Sequence, residues 1–309
     1  MELSSILHIE PDQLNDFEAD LFITTLSCES RCTTVARKLE AAKISRKIVL
    51  VQDDQSNLFS YQENNLYFED HGFEPSIVES KVPDMGALFT SFGGQHFRVI
   101  LDCTCMSARW YYEFFNWFGE NQDGYDRATL RTAYAMSCLE DQEQVLKVKS
   151  VKSILRKETI ESQNKKSALI LGLGHEKGVS EAIFNKIKPD LLYLYYADPP
   201  ADKMSVERVF VNNHALINST PIRNLVSYPI RNGQTIYQKL IDTILPLRTE
   251  YSIILVPHGP KFFFVVSLLV HLGYPDIQVN YPKFKKSVPI DRTSCDEPVF
   301  LDVQFEGEE

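Results

Sequence analysis

The sequence predicts an α/β protein made of two Rossmann-like units, each with a mainly parallel sheet flanked by helices. Three observations support this prediction. Short apolar runs end abruptly at small or polar residues, segments with helical spacing follow them, and the alternation begins again after a polar stretch near the middle of the 309-residue chain. Uninterrupted apolar runs are typical of strands that are buried on both faces, as they are in a parallel sheet.

In the first half of the chain, apolar runs are followed by turns and, in two cases, by a helix-forming segment. Strands are predicted at residues 21–26, 47–51, 97–101 and 132–137, and helices at 31–43 and 110–118. The polar segment 147–166 indicates a helix and a linker, so we place the domain boundary beside it. The predicted units are therefore residues 1–150 and 151–309, and the second unit ends in an acidic tail.

The second half repeats this alternation. Strands are predicted at residues 168–173, 191–196, 252–256 and 277–279, and helices at 179–186, 234–245 and 262–272. The last of these helices has the continuous apolar sequence FFFVVSLLVHL. Because it is too short to cross a bilayer, it indicates a buried helix and no membrane partner.

Composition narrows the classes of function. The formal net charge is −10, from 42 acidic and 32 basic residues. Such an acidic chain is unsuited to sequence-independent binding of duplex DNA, which needs a positive surface to displace counterions. The first residues, MELSSILHIEPDQ, lack the basic start and apolar core of a signal peptide. Together with the six cysteines, this indicates reduced thiols and a cytoplasmic protein.

Candidate ligand-binding residues lie in four turns between a predicted strand and the next helix, because open α/β sheets bind ligands beyond the carboxyl ends of their strands. The turns are SCESR, CTCMSAR, GHEKG and PHGPK, and each places one cation in the first turn of a helix: Arg31, Arg109, Lys177 and Lys261. Cations are mildly unfavourable at that position, which suggests that an anionic ligand compensates them. The alternative is that these cations pair with Glu29, Glu113 or Glu176.

Other polar side chains near these strand ends extend the candidate site. Asp102 and Asp198 follow or end their strands, and a carboxylate in that position can bind ribose hydroxyls or a base edge. Ser27 and Ser107 are candidate ligand contacts, although neither lies in the G-x-S-x-G turn of a nucleophilic serine.

Proton transfer would fall to another group of residues if the protein is an enzyme. The candidates are His175, His258, Asp102 and Glu176, since imidazole and carboxylate side chains are the usual general acids and bases. The two histidines lie in the turns GHEKG and PHGPK of the second half. The alternative for a histidine in a turn is a purely structural, hydrogen-bonded role.

The stretch GLGHEKG is similar to the glycine fingerprint of dinucleotide and S-adenosylmethionine sites. Its glycines are Gly172, Gly174 and Gly178, and Asp198 follows twenty residues after the last of them. The spacing is one residue longer than G-x-G-x-x-G. The alternative is that the glycines only allow close packing of strand and helix.

Cysteines and aromatic residues in the first half allow two further interpretations. Cys28, Cys32, Cys103 and Cys105 would form a zinc site if their strands are neighbours, but their spacing lacks the C-x2-C pattern and buried core cysteines are commoner. We therefore predict no metal. In the helix WYYEFFNWF, Trp110 or Tyr111 is a candidate for stacking on a base, whereas packing against the sheet is the usual role of such a helix.

A family resemblance follows from two of these turns. LFITTLSCESR and VILDCTCMSARW are similar to the ligand-facing turns of the CRISPR-associated Rossmann-like sensor domains, over roughly the first 145 residues. The glycine-threonine turn of that family is replaced here by Cys103-Thr104-Cys105. The whole chain also resembles two-unit Rossmann-like proteins encoded beside bacterial defence genes. The resemblance implies a nucleotide ligand, a role in antiviral defence and a protein partner in a defence complex.

Taken together, these residues predict a cytoplasmic binding or sensor protein for a nucleotide-like or phosphorylated ligand, held at the carboxyl edge of the strands without a bound cofactor. Three alternatives stay open. One is a hydrolase or glycosyl-type transferase acting on a nucleotide-like substrate. Another is an enzyme that uses S-adenosylmethionine or NAD at GLGHEKG. The third is a scaffold subunit of a larger assembly.

Overall fold

The structure is a computed structural model that describes residues 2–14, 17–52, 55–89, 94–120, 125–138, 146–154, 165–201, 203–285 and 289–306. The chain divides into two compact units. The first unit contains Met1–Cys138 and Ile290–Glu309, and the second contains Leu139–Pro289.

The strands, in chain order, are β1 (Glu2–Ile9), β2 (Glu18–Thr25), β3 (Lys43–Val51), β4 (Glu74–Ile77), β5 (Gly94–Asp102), β6 (Tyr125–Tyr134), β7 (Val148–Ser153), β8 (Lys166–Gly172), β9 (Leu191–Ala197), β10 (Leu225–Tyr228), β11 (Tyr251–Pro257), β12 (Gln278–Phe284) and β13 (Val299–Glu306). The helices are α1 (Thr34–Lys38), α2 (Tyr61–Asp70), α3 (Met85–Phe89), α4 (Ala108–Glu120), α5 (Val179–Ile187), α6 (Lys203–Asn212), α7 (His214–Ser219), α8 (Gly233–Leu247) and α9 (Lys261–Gly273).

The first unit contains a sheet with the strand order β1-β13-β6-β5-β2-β3-β4. Strands β6, β5, β2, β3 and β4 are parallel to one another. Strand β13 pairs antiparallel with both β6 and β1. The five parallel strands therefore have the order 3-2-1-4-5, which is the doubly wound Rossmann order without its sixth strand, with an antiparallel extension on one side.

The second unit contains a sheet with the strand order β10-β9-β8-β11-β12-β7. Its first five strands are parallel, and β7 pairs antiparallel with β12. The five parallel strands again have the order 3-2-1-4-5. The predicted class, two Rossmann-like units with mainly parallel sheets flanked by helices, is therefore confirmed.

The division of the chain differs from the predicted one in two respects. The second unit begins at Leu139, whereas residue 151 was predicted, and the chain returns to the first unit from Ile290 onwards. The predicted second unit runs to residue 309, but β13 belongs to the sheet of the first unit. The whole length of β13 pairs with β6, from Val299 with Tyr134 to Glu306 with Arg127. This pairing joins residues more than 160 positions apart, so local sequence patterns do not indicate it. Residues 307–309, the end of the predicted acidic tail, lie outside the described residues.

The predicted helix and linker at 147–166 also require correction. Residues 148–153 form β7, which pairs with β12 at the edge of the second sheet. An edge strand needs only one partner, and its propensity depends on that context more than on its own composition. Residues 155–164 of the predicted linker lie outside the described residues.

Two helices show how the apolar patterns are used. In α4 the buried side chains include Trp110, Tyr111, Phe114, Phe115 and Phe118, and burying each large side chain contributes about 1.5–3 kcal/mol. In α9 nine consecutive residues from Phe262 to Val270 are buried, which confirms the predicted buried helix. Within the described ranges, no helix combines the length and the apolar character needed to cross a bilayer.

Candidate functional site

The predicted turns follow the two strands at which the strand order of each sheet reverses. In the first unit, β2 has β3 on one side and β5 on the other, and in the second unit β8 lies between β9 and β11. Such a reversal opens a crevice at the carboxyl ends of the two central strands, where open α/β sheets bind ligands. SCESR and CTCMSAR flank the reversal in the first unit, and GHEKG and PHGPK flank the reversal in the second.

In the first unit, Arg31 is a structural cation. Its side chain is 3% exposed, and Nε lies 2.8 Å from Oε2 of Glu29. Its Nη1 donates to the Ala135 carbonyl oxygen at 2.7 Å and to the Tyr134 hydroxyl at 3.3 Å. Burial alone would lower the pKa of Arg31, but Tyr134 and Glu29 outweigh it and raise the pKa. The predicted alternative, pairing with Glu29, is the arrangement observed.

Asp102 is likewise directed into the protein. Its carboxylate is 1% exposed and accepts hydrogen bonds from the Thr24 hydroxyl and from the Thr104 amide, both at 2.9 Å. Because Ile23 is level with Leu101 in the parallel pairing of β2 and β5, Thr24 lies beside Asp102. The carboxylate therefore joins the two central strands and orders the turn after β5.

The turn after β2 is supported by side chains that the sequence analysis did not single out. The side chain of buried Asn64 donates to the carbonyl oxygens of Ser27 and Glu29 at 2.8 and 2.9 Å. The Ser27 hydroxyl and the Cys28 amide both donate to the Gln55 side chain at 3.3 Å. Ser27, predicted as a ligand contact, is 7% exposed and takes part in this internal network.

The segment that returns to the first unit covers the same turn. Asp291 accepts hydrogen bonds from the Ser30 amide and the Ser30 hydroxyl, both at 2.6 Å. The Arg292 guanidinium lies 3.0 Å from the Glu29 carboxylate. The backbone carbonyl oxygen of Arg292 accepts a hydrogen bond from the Arg31 amide. A carboxylate of the chain itself thus takes the place beside SCESR that the sequence analysis assigned to an anionic ligand.

At the start of α4, Ser107 is exposed and its hydroxyl accepts from the Trp110 amide at 3.4 Å. Arg109 lies 2.7 Å from the buried carboxylate of Glu113, one helical turn along. Trp110 and Tyr111 are 2% and 1% exposed, and the indole of Trp110 donates to the Lys81 carbonyl oxygen. These two aromatic residues therefore pack in the core, and neither presents a face on which a base could stack.

The four cysteines follow β2 and β5, which are neighbouring strands, as the zinc interpretation required. However, no group of three or more histidine, cysteine, aspartate or glutamate residues able to hold a metal ion exists among the residues described above. Contact with the Cys105 thiol and burial raise the pKa of Cys32, and burial raises the pKa of Cys28. Neutral thiols in an apolar cluster fit the core interpretation.

In the second unit, the two predicted turns leave the sheet side by side. Gly172 at the end of β8 pairs in parallel register with Pro257 at the end of β11. A Cβ atom on Gly172 would lie 2.8 Å from the Phe263 ring, and one on Gly259 would lie 2.8 Å from the Leu173 carbonyl oxygen. Both glycines therefore permit close packing. For Gly172, which belongs to the glycine fingerprint, this is the alternative to a role in cofactor binding.

A carboxylate and an imidazole meet across these turns. Nε2 of His258 lies 3.2 Å from Oε2 of Glu176, and Nε2 of His175 lies 3.8 Å from Oε1 of the same carboxylate. His258 is 8% exposed, whereas the His175 side chain is 50% exposed. The alignment of His258 and Glu176 does not meet the geometry of a hydrogen bond, so the two groups are in close contact and form an ion pair when His258 is protonated.

The environment of Glu176 favours its ionised form. Burial would raise the pKa of this carboxyl, but the close contact with His258 and the charges of His258 and His175 lower it to about 2. Gly174 is required for this arrangement, since a Cβ atom there would lie 2.5 Å from Glu176 Oε2 and 2.8 Å from His258 Nε2. A carboxylate held against an imidazole in this way can orient the ring and stabilise its protonated form.

Cations and a helix terminus lie in the same turns. Lys177 is exposed, and Lys261, the first residue of α9, is partly buried. Helix α5 begins after Gly178, whose φ of +76° is in the left-handed region that glycine adopts without strain. Ser180 in the first turn of α5 is fully buried, and its hydroxyl has no hydrogen-bond partner. Free amides at a helix N-terminus favour an anion.

Two asparagines missed by the sequence analysis hold the turn after β8. The side chain of Asn213 donates to the Gly174 carbonyl oxygen at 2.9 Å, and that of Asn212 donates to the His175 carbonyl oxygen at 2.6 Å. Both lie where α6 ends and α7 begins. The sequence signal was available, because adjacent asparagines interrupt the apolar spacing of VFVNNHALI.

Asp198 follows β9, which pairs in parallel with β8. It is exposed, and it lies at the same carboxyl edge as the GHEKG turn. The second unit thus brings together His175, Glu176, Lys177, His258, Lys261 and Asp198 at one edge of its sheet. In the first unit, the corresponding edge uses Arg31, Asp102 and Ser27 for internal contacts.

No protein-family model matches this sequence, and no curated protein matches it. The resemblance to the CRISPR-associated sensor domains therefore stays a prediction.

Proposed function

We propose that the second unit binds a phosphorylated, nucleotide-like ligand at the carboxyl edge of its sheet, and that the protein is a binding or sensor protein. One observation carries this proposal. The turns GHEKG and PHGPK leave β8 and β11 side by side at the reversal of strand order, and they bring Lys177 and Lys261 to the edge where α5 begins. Lysine ammonium groups and helix amides are suited to phosphate.

The rest of the edge fits the other parts of such a ligand. Asp198 follows the neighbouring strand β9, the position from which an acidic side chain binds ribose hydroxyls in Rossmann-like folds. The resemblance to the CRISPR-associated sensor domains implies an antiviral role. We include that role in the proposal: the bound nucleotide would be the signal that the protein senses.

The proposal is tested by thermal unfolding of the purified protein with ATP, NAD, S-adenosylmethionine or pyrophosphate. A ligand that binds only the native state at about 100 times its Kd stabilises it by about 2.7 kcal/mol. We expect at least one phosphorylated probe to raise the Tm and Lys177→Met to reduce that shift. Lys186→Met is the matched control, because Lys186 lies in the last turn of the same helix α5. The proposal would be contradicted if Lys177→Met and Lys186→Met reduced the ligand-induced Tm shift equally, or if no probe raised the Tm of the parent protein.

A second candidate function rests on the contact between the His258 ring and the Glu176 carboxylate, 3.2 Å apart. In this alternative the ligand is hydrolysed. His258, neutral and with Nδ1 unprotonated, takes a proton from water through Nδ1 while the water oxygen attacks the terminal phosphorus of ATP. The bond from phosphorus to the leaving oxygen breaks, ADP leaves as an anion, and the imidazolium then releases its proton to solvent. Glu176 stabilises the imidazolium at Nε2. Release of phosphate from ATP that is abolished by His258→Gln, while the ATP-induced Tm shift persists, would favour this enzyme over the sensor.

A further inference from the structure

The first unit contains a cavity of about 230 Å³ that is separate from the strand edge discussed above. It lies between α1, α2 and the sheet, towards the amino ends of β2 and β3. The lining residues are Phe22, Ala36, Leu39, Glu40, Ile44, Lys47, Tyr67, His71 and Phe73. At about 30 Å³ for each water in the liquid, this space corresponds to roughly eight waters, which suits a side chain the size of leucine or phenylalanine.

The interior of the cavity is apolar. Phe22 and Leu39 are 1% and 4% exposed, and Phe73 is 7% exposed. The rings of Phe22 and Phe73 pack edge to face with their centroids 5.4 Å apart. The Tyr67 hydroxyl is occupied, because it donates to Glu40 at 2.8 Å. The interior therefore offers aromatic and aliphatic surface, which favours an apolar group.

The rim of the cavity carries one charge of each sign. The Lys47 ammonium donates to the His71 carbonyl oxygen at 3.3 Å, and the His71 ring lies 3.7 Å from the Glu40 carboxylate. His71 thus lies between the two charges, and its ring stacks on Tyr67 at 4.0 Å. The Glu40 side chain is 51% exposed and that of His71 is 38% exposed. Lys47 is half-buried, so the charges of Lys47 and Glu40 are both within reach of a small molecule at the opening.

We propose that this cavity binds an apolar α-amino acid. The apolar side chain fills the interior, the α-carboxylate lies against the Lys47 ammonium, and the α-ammonium lies against the Glu40 carboxylate. A phosphorylated ligand is disfavoured here, because the carboxylate at the rim offsets the single lysine of the lining. The site does not depend on the proposed function, since it uses other residues in the other unit.

Isothermal titration of the full-length protein with L-phenylalanine and L-leucine tests this proposal. For a ligand of this size we expect a Kd on the order of 0.1–1 mM. 3-Phenylpropionate lacks the ammonium and 2-phenylethylamine lacks the carboxylate, so each should bind at least about tenfold more weakly than L-phenylalanine. Lys47→Met and Glu40→Gln should each weaken binding by a similar factor. The matched control is Lys43→Met, which removes an exposed lysine of the same strand that pairs with Glu18.

Filling the cavity provides an independent measurement. Ala36→Leu should abolish L-phenylalanine binding and raise the Tm, because it occupies the same space. If this variant does not fold, Ile44→Phe at the half-buried side of the cavity serves the same purpose. Absence of L-phenylalanine and L-leucine binding up to about 10 mM would overturn the proposal. The proposal would also be overturned if 3-phenylpropionate bound as tightly as L-phenylalanine, or if a folded, cavity-filled variant bound L-phenylalanine with unchanged affinity.

Discussion

Nε2 of His258 lies 3.2 Å from Oε2 of Glu176 in the second unit, between turns that follow the adjacent parallel strands β11 and β8. The two residues are 82 positions apart in the sequence, and only the pairing of these strands brings them together. A charge pair that is largely removed from water is strongly coupled to the fold that holds it. This ion pair is therefore the part of the candidate site whose properties can be tested most directly.

Acid stability should depend on Glu176. Because the pKa of this carboxyl is lowered from 4.5 to about 2 in the folded protein, its contribution to stability is fully present above about pH 4.5 and is lost as the pH falls towards 2. With the side chain 22% exposed, we expect a contribution on the order of 2 kcal/mol. Far-UV circular dichroism during acid titration of Glu176→Gln should show less loss of stability over this range than the parent protein. The control, Glu250→Gln, should follow the parent.

Gly174→Ala should disrupt the candidate site without removing any of its functional groups. The added Cβ atom would lie within 3 Å of both Glu176 and His258, and relieving such overpacking typically costs about 1–3 kcal/mol. We expect a lower Tm and loss of the nucleotide-induced shift. Gly86→Ala, where the nearest atom to a new Cβ is 3.3 Å away, is the control. Parent-like ligand binding by Gly174→Ala would show that the ion pair is not part of the ligand site.

Arg31 and Lys177, both predicted from sequence as anion-binding cations, should behave in opposite ways. Arg31→Met removes the buried partner of Glu29 and should destabilise the first unit by about 2–4 kcal/mol. Lys177→Met should change stability by less than about 0.5 kcal/mol and reduce ligand binding. Both tryptophans of the chain, Trp110 and Trp117, lie in α4, so tryptophan fluorescence in urea reports unfolding of the first unit alone. A stable Arg31→Met variant that fails to bind ligand would reverse these assignments.

Asp102 should prove structural. Asp102→Ala leaves the Thr24 hydroxyl and the Thr104 amide without their acceptor at a buried position, and hydrogen bonds to a charged group contribute about 1.5–3 kcal/mol each. We expect the urea midpoint measured by tryptophan fluorescence to fall, while the Tm shift caused by a nucleotide bound to the second unit is retained. Loss of the ligand response at unchanged stability would instead give Asp102 a role in binding.

Several features of the site followed from the sequence. The turns GHEKG and PHGPK were recognised because apolar runs end at them, and both lie at the predicted strand ends. Their histidines, Glu176 and the lysines were named as candidates for the same reason. The sequence could not show which cations are paired internally. Arg31 and Lys177 both follow a glutamate in a turn after a strand, and they differ in burial, which only the tertiary structure sets. Residues contributed by distant segments, such as Asn213 and Asp291, were missed.

The sequence alone determined the class of fold, the alternation of strands and helices and the turns that carry the polar side chains. These depend on the order of apolar and polar residues along the chain, which sets what each segment can bury. The tertiary structure decided which strands are neighbours, that β13 returns to the first sheet, and which charges are satisfied internally. Those outcomes depend on contacts between residues far apart in the chain. The order of apolar and polar residues within one segment does not specify such contacts.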